Sequence, residues 1–231
     1  MTSVWFNRKF KDDAERRERL YAGEIFVYDG LSAVTEFAEF TARMVEAALA
    51  PHDPRSIHEL LTPQELALLL GKLKPQFIHH PESRRMVGRI IAELGGDLDD
   101  SHLDVPRLRS AYPTGHLTKG IAFAFAGHRD TWYGAPQAQI NWWLPIYPLH
   151  ADNAMAFYPR YFAAPVENDS DRFSYYRRNV ERRSVVEFID ADPRVQPSAT
   201  SLTNDEPEVR LLPDVGGLIL FSGAQLHATV T

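Results

Sequence analysis

The stretch IAFAFAGHRDTWYGAP (residues 121–136) decides our interpretation of the fold, because an apolar run ends there on a histidine and a carboxylate. If the run is a strand, alternation places a row of alanines, then His128 and Asp130, on the same face. Small residues leave room for a cavity beside the polar pair. Three interpretations compete: a metal site, a kinase-type catalytic loop, or a polar strand end without a function.

Length and composition limit the kinds of protein to consider. A chain of 231 residues that is 44% hydrophobic can bury one sizeable core, so we expect a single catalytic domain over residues 1–231. The net charge of -6 disfavours a nucleic-acid partner, and we expect a small-molecule substrate. The chain has no cysteine, so any metal is held by nitrogen and oxygen ligands. No stretch resembles a signal peptide or a membrane span, so we expect a cytoplasmic protein with no membrane partner.

Residues 1–100 are predicted to be mostly helical. Apolar residues recur at helical spacing over residues 31–51. Thr62 and Glu65 stand at the N-cap and capping-box positions of a second helix. A third helix over residues 82–94 ends at a pair of glycines.

Residues 105–231 are predicted to form a core of short strands, interrupted by a charged insertion over residues 165–213 that could cover a site. The predicted strands are aromatic or rich in β-branched residues, and turn residues separate them. They are VPRLRSAYP (105–113), GIAFAFAGH (120–128), AQINWWLPIYP (138–148), NAMAFYPRYF (153–162) and GGLILFSG (216–223).

His-x-Asp occurs three times, so the motif alone is weak evidence for a metal. His102 and His150 lie in predicted loops and are interpreted as structural or solvated. His128 and Asp130 differ because a third candidate ligand, His227, ends another apolar strand. Two histidines and a carboxylate form the facial triad of non-haem iron(II) oxygenases, which leaves coordination positions open. For His227 alone, a hydrogen-bonded core histidine is the competing interpretation.

The kinase interpretation lacks its other motifs. A kinase catalytic loop needs an asparagine five residues after the aspartate, where this chain has Ala135. The sequence also has no glycine-rich phosphate loop and no D-F-G. A zinc protease would need H-E-x-x-H, which is absent as well.

The order of these segments, from the H-x-D through INWWLPIY and NAMAFYPRYF to GGLILFSGAQLHATV, resembles the iron(II)/2-oxoglutarate-dependent oxygenases. The likeness is to the phytanoyl-CoA dioxygenase-like branch and extends from about Arg107 to the C-terminus. It implies a mainly β fold with flanking helices: a cupin-like double-stranded β-helix, or jelly roll, with the N-terminal helices packed on one sheet.

The resemblance also implies a site and a reaction. Iron(II) would bind His128, Asp130 and His227. The cosubstrate 2-oxoglutarate would bind beside a strand face that carries Gln139, Asn141 and Trp143, while Ile140, Trp142 and Leu144 pack away from the site. The expected reaction uses O2 to hydroxylate a small polar molecule and converts 2-oxoglutarate to succinate. Halogenating relatives lack the carboxylate, so Asp130 favours hydroxylation.

Two departures from the family pattern concern cosubstrate and substrate. The family has a basic residue after the distal histidine for the far carboxylate of 2-oxoglutarate, but this chain ends at Thr231. We therefore expect a natural continuation into one more strand, with Lys119 or Arg160 as substitutes by position in its absence. Residues 159–162 also replace the usual Pro-Gly-Ser-His turn.

Arginines with neighbouring aromatic residues indicate a substrate that bears carboxylate or phosphate. The candidates are Arg107, Arg109, Tyr112 and Arg160, together with the Tyr-Tyr-Arg-Arg run at 175–178. Solvated surface charge is the alternative for each of them. At the level of function, a non-catalytic jelly-roll binding protein and a cupin-type metalloenzyme that does not use 2-oxoglutarate stay open.

Overall fold

The computed structural model describes residues 3–112, 115–181, 185–203 and 205–230. Its helices are α1 (Asp13–Tyr21), α2 (Ser32–Leu49), α3 (Pro63–His79), α4 (Pro81–Glu93) and α5 (Tyr175–Glu181). Its strands are β1 (Val4–Phe6), β2 (Ile25–Tyr28), β3 (Ile140–Trp143), β4 (Met155–Phe157), β5 (Val209–Leu211), β6 (Leu218–Ser222) and β7 (His227–Thr229).

The expectation of a mainly β jelly roll is wrong. About 37% of the chain is helical and 13% is strand, and the strands form two small sheets of four and three strands. The larger sheet has the order β1-β2-β6-β3, and the smaller has the order β5-β4-β7. The protein is therefore an α+β arrangement in which helices supply much of the buried surface.

Strand β2 is the main element that the sequence interpretation missed. It pairs in parallel with β1 and antiparallel with β6, so residues from both ends of the chain share one sheet. All four of its residues are buried, because both faces of the sheet are covered. A strand buried on both faces has no polar alternation, which removes the pattern by which strands are recognised.

The three predicted helices are confirmed. Helix α2 turns its apolar face, including Val34 and Phe37, into the core. Helix α3 begins with a complete capping box, in which the Thr62 side chain and the Glu65 carboxylate each accept from the other residue's backbone N–H. Helix α4 ends at Glu93, and Gly95 follows with a φ of 79°, a conformation that favours glycine.

Two predicted strands are wrong, and their backbone groups find other partners. Residues 105–112 have no regular secondary structure, and Pro113 of that prediction lies outside the described residues. Residues Gly120–Ala122 form a short 3-10 helix whose apolar side chains pack against a cluster from α2 and α3. The Lys74 ammonium donates to the carbonyl of Ile121 (2.6 Å), which a strand would have paired in a ladder. Packing against α3 therefore overrides the strand pattern.

The buried residues of β2 and β6 alternate between two clusters. Phe26, Leu218 and Leu220 pack against the helices α2 and α4, whereas Val27 and Ile219 face the smaller sheet. The second cluster also contains Phe157 and Phe221, whose rings lie 4.9 Å apart edge to face. This second cluster supports the site described below.

Candidate metal site

Backbone pairing brings the two candidate histidines together. His128 and His227 form an antiparallel bridge in which each N–H donates to the other's carbonyl at 2.9 Å. The bridge continues β7 onto residues that were predicted as the end of a long strand, although only this short part pairs. Their rings lie 4.3 Å apart between centroids, so both imidazoles stand on one side of the pair.

Each imidazole is oriented by a backbone carbonyl. Nδ1 of His128 lies 2.9 Å from the Ala126 carbonyl, and Nδ1 of His227 lies 3.0 Å from the Gln225 carbonyl. A carbonyl only accepts, so each Nδ1 carries the proton and each Nε2 has a free lone pair. This is the arrangement that fixes the tautomer of metal-binding histidines in proteins.

The Asp130 carboxylate faces both free nitrogens. Its Oδ1 lies 3.5 Å from Nε2 of His128 and 3.9 Å from Nε2 of His227. The three candidate ligand atoms all lie within 4.8 Å of one another, so the group could hold one metal ion. Asp130 starts a 3-10 helix, and its backbone N–H donates to the Gly223 carbonyl (2.9 Å), which fixes it beside the end of β6.

The second carboxylate oxygen of Asp130 is occupied by amides from the neighbouring strand. Oδ2 accepts from Nε2 of Gln139 at 3.0 Å and from Nδ2 of Asn141 at 2.6 Å. The Gln139 amide also donates to Oδ1 of Asn141 at 2.8 Å, which holds the two side chains relative to each other. Only Oδ1 therefore remains for a metal, and the carboxylate is oriented as a ligand through a single oxygen.

The electrostatics give Asp130 and His227 the protonation states that metal binding requires. Burial alone would raise the pKa of the Asp130 carboxyl, but the adjacent imidazoles of His128 and His227, which favour a negative charge, and the Asn141 amide hold it well below its usual range. Burial and the neighbouring His128 lower the pKa of His227 to about 4. At neutral pH the site accordingly offers an ionised carboxylate and a neutral His227. These nitrogen and oxygen donors fit iron, manganese or zinc.

Aromatic rings surround the histidines. Phe125 and Tyr133 lie 5.0 and 5.4 Å from the His128 ring, and Phe221 lies 5.0 Å from the His227 ring. The sequence interpretation did not place these rings beside the histidines, and its strand alternation put Phe125 on the opposite face from His128. A signal for Tyr133 was available, since it follows Asp130 by three residues, but its position depends on the 3-10 turn, which was not predicted.

The two faces of β3 divide as alternation predicts. Gln139 and Asn141 point to Asp130, while the opposite face, Ile140, Trp142 and Leu144, packs against the helical cluster. Trp143 packs into the cluster between the sheets, which also contains Phe157 and Phe221. The two amides therefore position the carboxylate, a role that the sequence alone did not indicate.

Besides Gln139 and Asn141, Arg109 is a predicted site residue that the structure brings near the triad. The Arg109 guanidinium lies 4.9 Å from the centre of the Phe125 ring, which itself contacts His128. Arg178 of the predicted insertion also approaches, 4.5 Å above the Tyr133 ring.

The other candidates have partners elsewhere. Arg107 pairs with Asp104 (3.0 Å), and the exposed Arg160 pairs with Glu206 (3.5 Å). The Lys119 ammonium donates to the Asp190 carbonyl, and Tyr112 is buried in the α2–α3 cluster. No contact within the described part of the chain joins these four side chains to the triad.

His102 and His150 lie outside the triad, and both are exposed. His150 stands in a turn, where its backbone N–H donates to the side chain of Asn153 (2.8 Å). In the described ranges, the triad forms the one group of three or more histidine or acidic side chains close enough to share an ion.

No helix in the described residues has both the length and the apolar character needed to cross a membrane. Comparison of the chain with protein-family models and with curated proteins finds no match.

Proposed function

We propose that this protein is a non-haem iron(II)/2-oxoglutarate-dependent oxygenase that hydroxylates a small polar molecule. The observation that carries the proposal is the convergence of two histidine Nε2 atoms and one carboxylate oxygen, with every other polar atom of these side chains already bonded. Two histidines and one carboxylate leave several positions of an octahedral ion free. The proposal rests on this ligand geometry and on the sequence resemblance, and it does not require the jelly roll, which is absent.

In this proposal, different residues bind the metal, orient the carboxylate ligand and exclude water. His128, Asp130 and His227 hold the ion, which when bound supplies the activation of O2. Gln139 and Asn141 hold the Asp130 carboxylate so that it offers one oxygen. The rings of Phe125, Tyr133 and Phe221 line the histidines and limit access of water. Exclusion of water protects a reactive species from side reactions.

The test is to supply iron(II), O2 and 2-oxoglutarate and to measure succinate, first alone and then with a panel of small polar acids. We expect iron-dependent succinate formation that a true substrate accelerates. His128→Ala and Asp130→Ala should abolish it, since each removes a ligand. His102→Ala and His150→Ala are matched controls that also remove an imidazole, and they should keep the activity.

Two results would contradict the proposal in different ways. Metal binding without any conversion of 2-oxoglutarate would point to a metalloprotein that does not use this cosubstrate. Absence of metal binding by the wild-type chain would leave the triad as a hydrogen-bonded cluster.

A further inference from the structure

Two arginines flank the triad from separate parts of the chain. Arg109 lies in the irregular segment before residue 112, and Arg178 lies on α5. Each guanidinium lies over an aromatic ring, Phe125 for Arg109 and Tyr133 for Arg178. Both rings contact His128, so each arginine is separated from the candidate metal ligands by a single side chain.

Neither guanidinium has a carboxylate partner in the described residues. Arg178 also has a buried Nη1 that bonds to no described residue. By contrast, Arg194 pairs with Asp192 (2.5 Å) and Arg172 with Asp169 (3.5 Å), both in the segment around α5. A buried donor of a charged group without a partner costs free energy, so a ligand that fills this position would recover it.

Arg109 is exposed, so a solute can reach its side chain. Its side chain keeps a large accessible surface, yet protein surrounds it closely enough that burial, followed by the charge of Arg107, lowers its pKa to about 10. The group therefore stays cationic at neutral pH. Burial is also the main cause of the lowered pKa of Arg178. The Phe125 and Tyr133 rings lie 6.1 Å apart between centroids, so the two guanidinium groups lie over neighbouring rings.

The charge balance around the triad and these two rings favours an anion. With a divalent ion bound, the charges of the ion and of the two guanidinium groups outnumber the single negative charge of Asp130. A dianionic cosubstrate would leave part of this excess. An additional carboxylate or phosphate would neutralise it, and planar guanidinium groups recognise both through paired hydrogen bonds.

We propose that Arg109 and Arg178 bind a carboxylate or phosphate group of the substrate and hold the rest of that molecule against Phe125 and Tyr133. This inference deepens the proposed function and rests on it, because the contacts with His128 place the bound molecule beside the metal. It narrows the substrate class to small acids that carry an apolar or aromatic part. Binding would also join α5 to the segment that carries Arg109.

The test uses benzoate and phenyl phosphate, which carry the two candidate anions on the same ring. Their dissociation constants are measured by calorimetry for the metal-free and the cobalt(II)-loaded chain. We expect the wild-type chain to bind at least one probe, and the preferred probe identifies the anionic group. Arg109→Gln and Arg178→Gln should each weaken binding by about tenfold or more, the effect of losing a charge-assisted hydrogen bond.

Two further variants separate recognition from loss of charge or fold. Arg43→Gln removes one positive charge from an exposed ion pair with Glu39 on α2 and should change probe binding by less than about twofold. Arg109→Lys keeps the charge but loses the planar fork, and it should bind more weakly than wild type and more tightly than Arg109→Gln. Far-UV circular dichroism checks that each variant is folded.

The dissociation constant of 2-oxoglutarate is measured for the same variants. Three outcomes would overturn the inference: the wild-type chain binds neither probe, all variants bind the probes equally, or the arginine variants lose 2-oxoglutarate binding but keep probe binding. The last outcome would assign the arginines to the cosubstrate. Failure of the wild-type chain to bind cobalt(II) would contradict the proposed metal site. Probe binding by the metal-free chain tests the arginines independently, so the two failures are distinguishable.

Discussion

At the scale of single residues, the candidate site depends on how the two oxygens of Asp130 are used. Oδ1 faces the two histidine nitrogens, while Oδ2 accepts from Gln139 and Asn141. The amides restrict rotation of the carboxylate before any metal arrives, so less ordering is needed on binding. Hydrogen-bond partners of this kind fix the orientation of metal ligands, and losing one weakens metal affinity.

Asn141→Ala should therefore weaken metal binding by about 10- to 100-fold without removing a ligand. It deletes the shorter of the two amide bonds to Asp130, at 2.6 Å. The measurement is an equilibrium titration with cobalt(II), followed by its visible absorbance. Asn179→Ala, which removes an amide from the exposed surface of α5, is the control and should titrate like wild type. Unchanged affinity in Asn141→Ala would show that the amides do not orient the ligand.

At the scale of elements, Lys74 joins α3 to the 3-10 turn that precedes the H-x-D motif. Its ammonium donates to the Ile121 carbonyl, and burial, followed by the charge of Arg109, lowers its pKa from 10.5 to about 7. The contact replaces a ladder hydrogen bond in a segment that the sequence presents as a strand. The cost is a cation held where water solvates it poorly.

This cost predicts a dependence of stability on pH. Between pH 7 and 10.5 the unfolded chain binds the Lys74 proton more tightly than the folded chain, so the free energy of unfolding should rise with pH from this group. Lys74→Met removes the titrating group, and its stability should rise less over the same range. Urea unfolding of both proteins from pH 6 to pH 10 measures the difference, and parallel curves would contradict the prediction. The lost hydrogen bond to Ile121 shifts the curve of the variant at every pH and leaves its slope unaffected.

At the scale of the whole molecule, folding assembles the candidate site. His128 and His227 are far apart in the sequence, and the bridge between them is supported by the cluster that joins the two sheets. The Phe157 and Phe221 rings of that cluster lie 6.3 and 5.0 Å from the His227 ring. An unfolded chain cannot present these ligands together, so a metal that binds the site should bind the folded state selectively.

Cobalt(II) should therefore raise the unfolding midpoint of the wild-type chain. At a free concentration about 100 times the dissociation constant, the added stability is about 2.7 kcal/mol. Asp130→Ala should lose this shift, whereas His102→Ala should keep it, since His102 is exposed and apart from the triad. The measurement is urea unfolding with and without the metal. An equal shift in Asp130→Ala would mean that the metal binds elsewhere.

Much of the helical part was predictable from local signals. The capping box at Thr62 and Glu65 and the apolar spacing of α2 involve residues within one or two turns of each other, so short-range chemistry is sufficient to define them. The identity of the triad was also accessible, because polar side chains that end apolar runs are unusual. The division of the two faces of β3 followed from the twofold period of a strand.

The jelly roll could not be rejected from these patterns. Residues 120–127 have the composition of a strand, but Ile121 and Ala122 pack against α2 and α3, and Lys74 takes the carbonyl that a neighbouring strand would have paired. Strand β2 lacks alternation because helices and the second sheet bury its two faces. Arg109 and Arg178 lie over neighbouring rings only because α5 and an irregular segment pack around the rings beside His128. The choice between helix packing and strand pairing for one apolar run depends on residues distant in sequence, so long-range packing selected the fold and the surroundings of the triad.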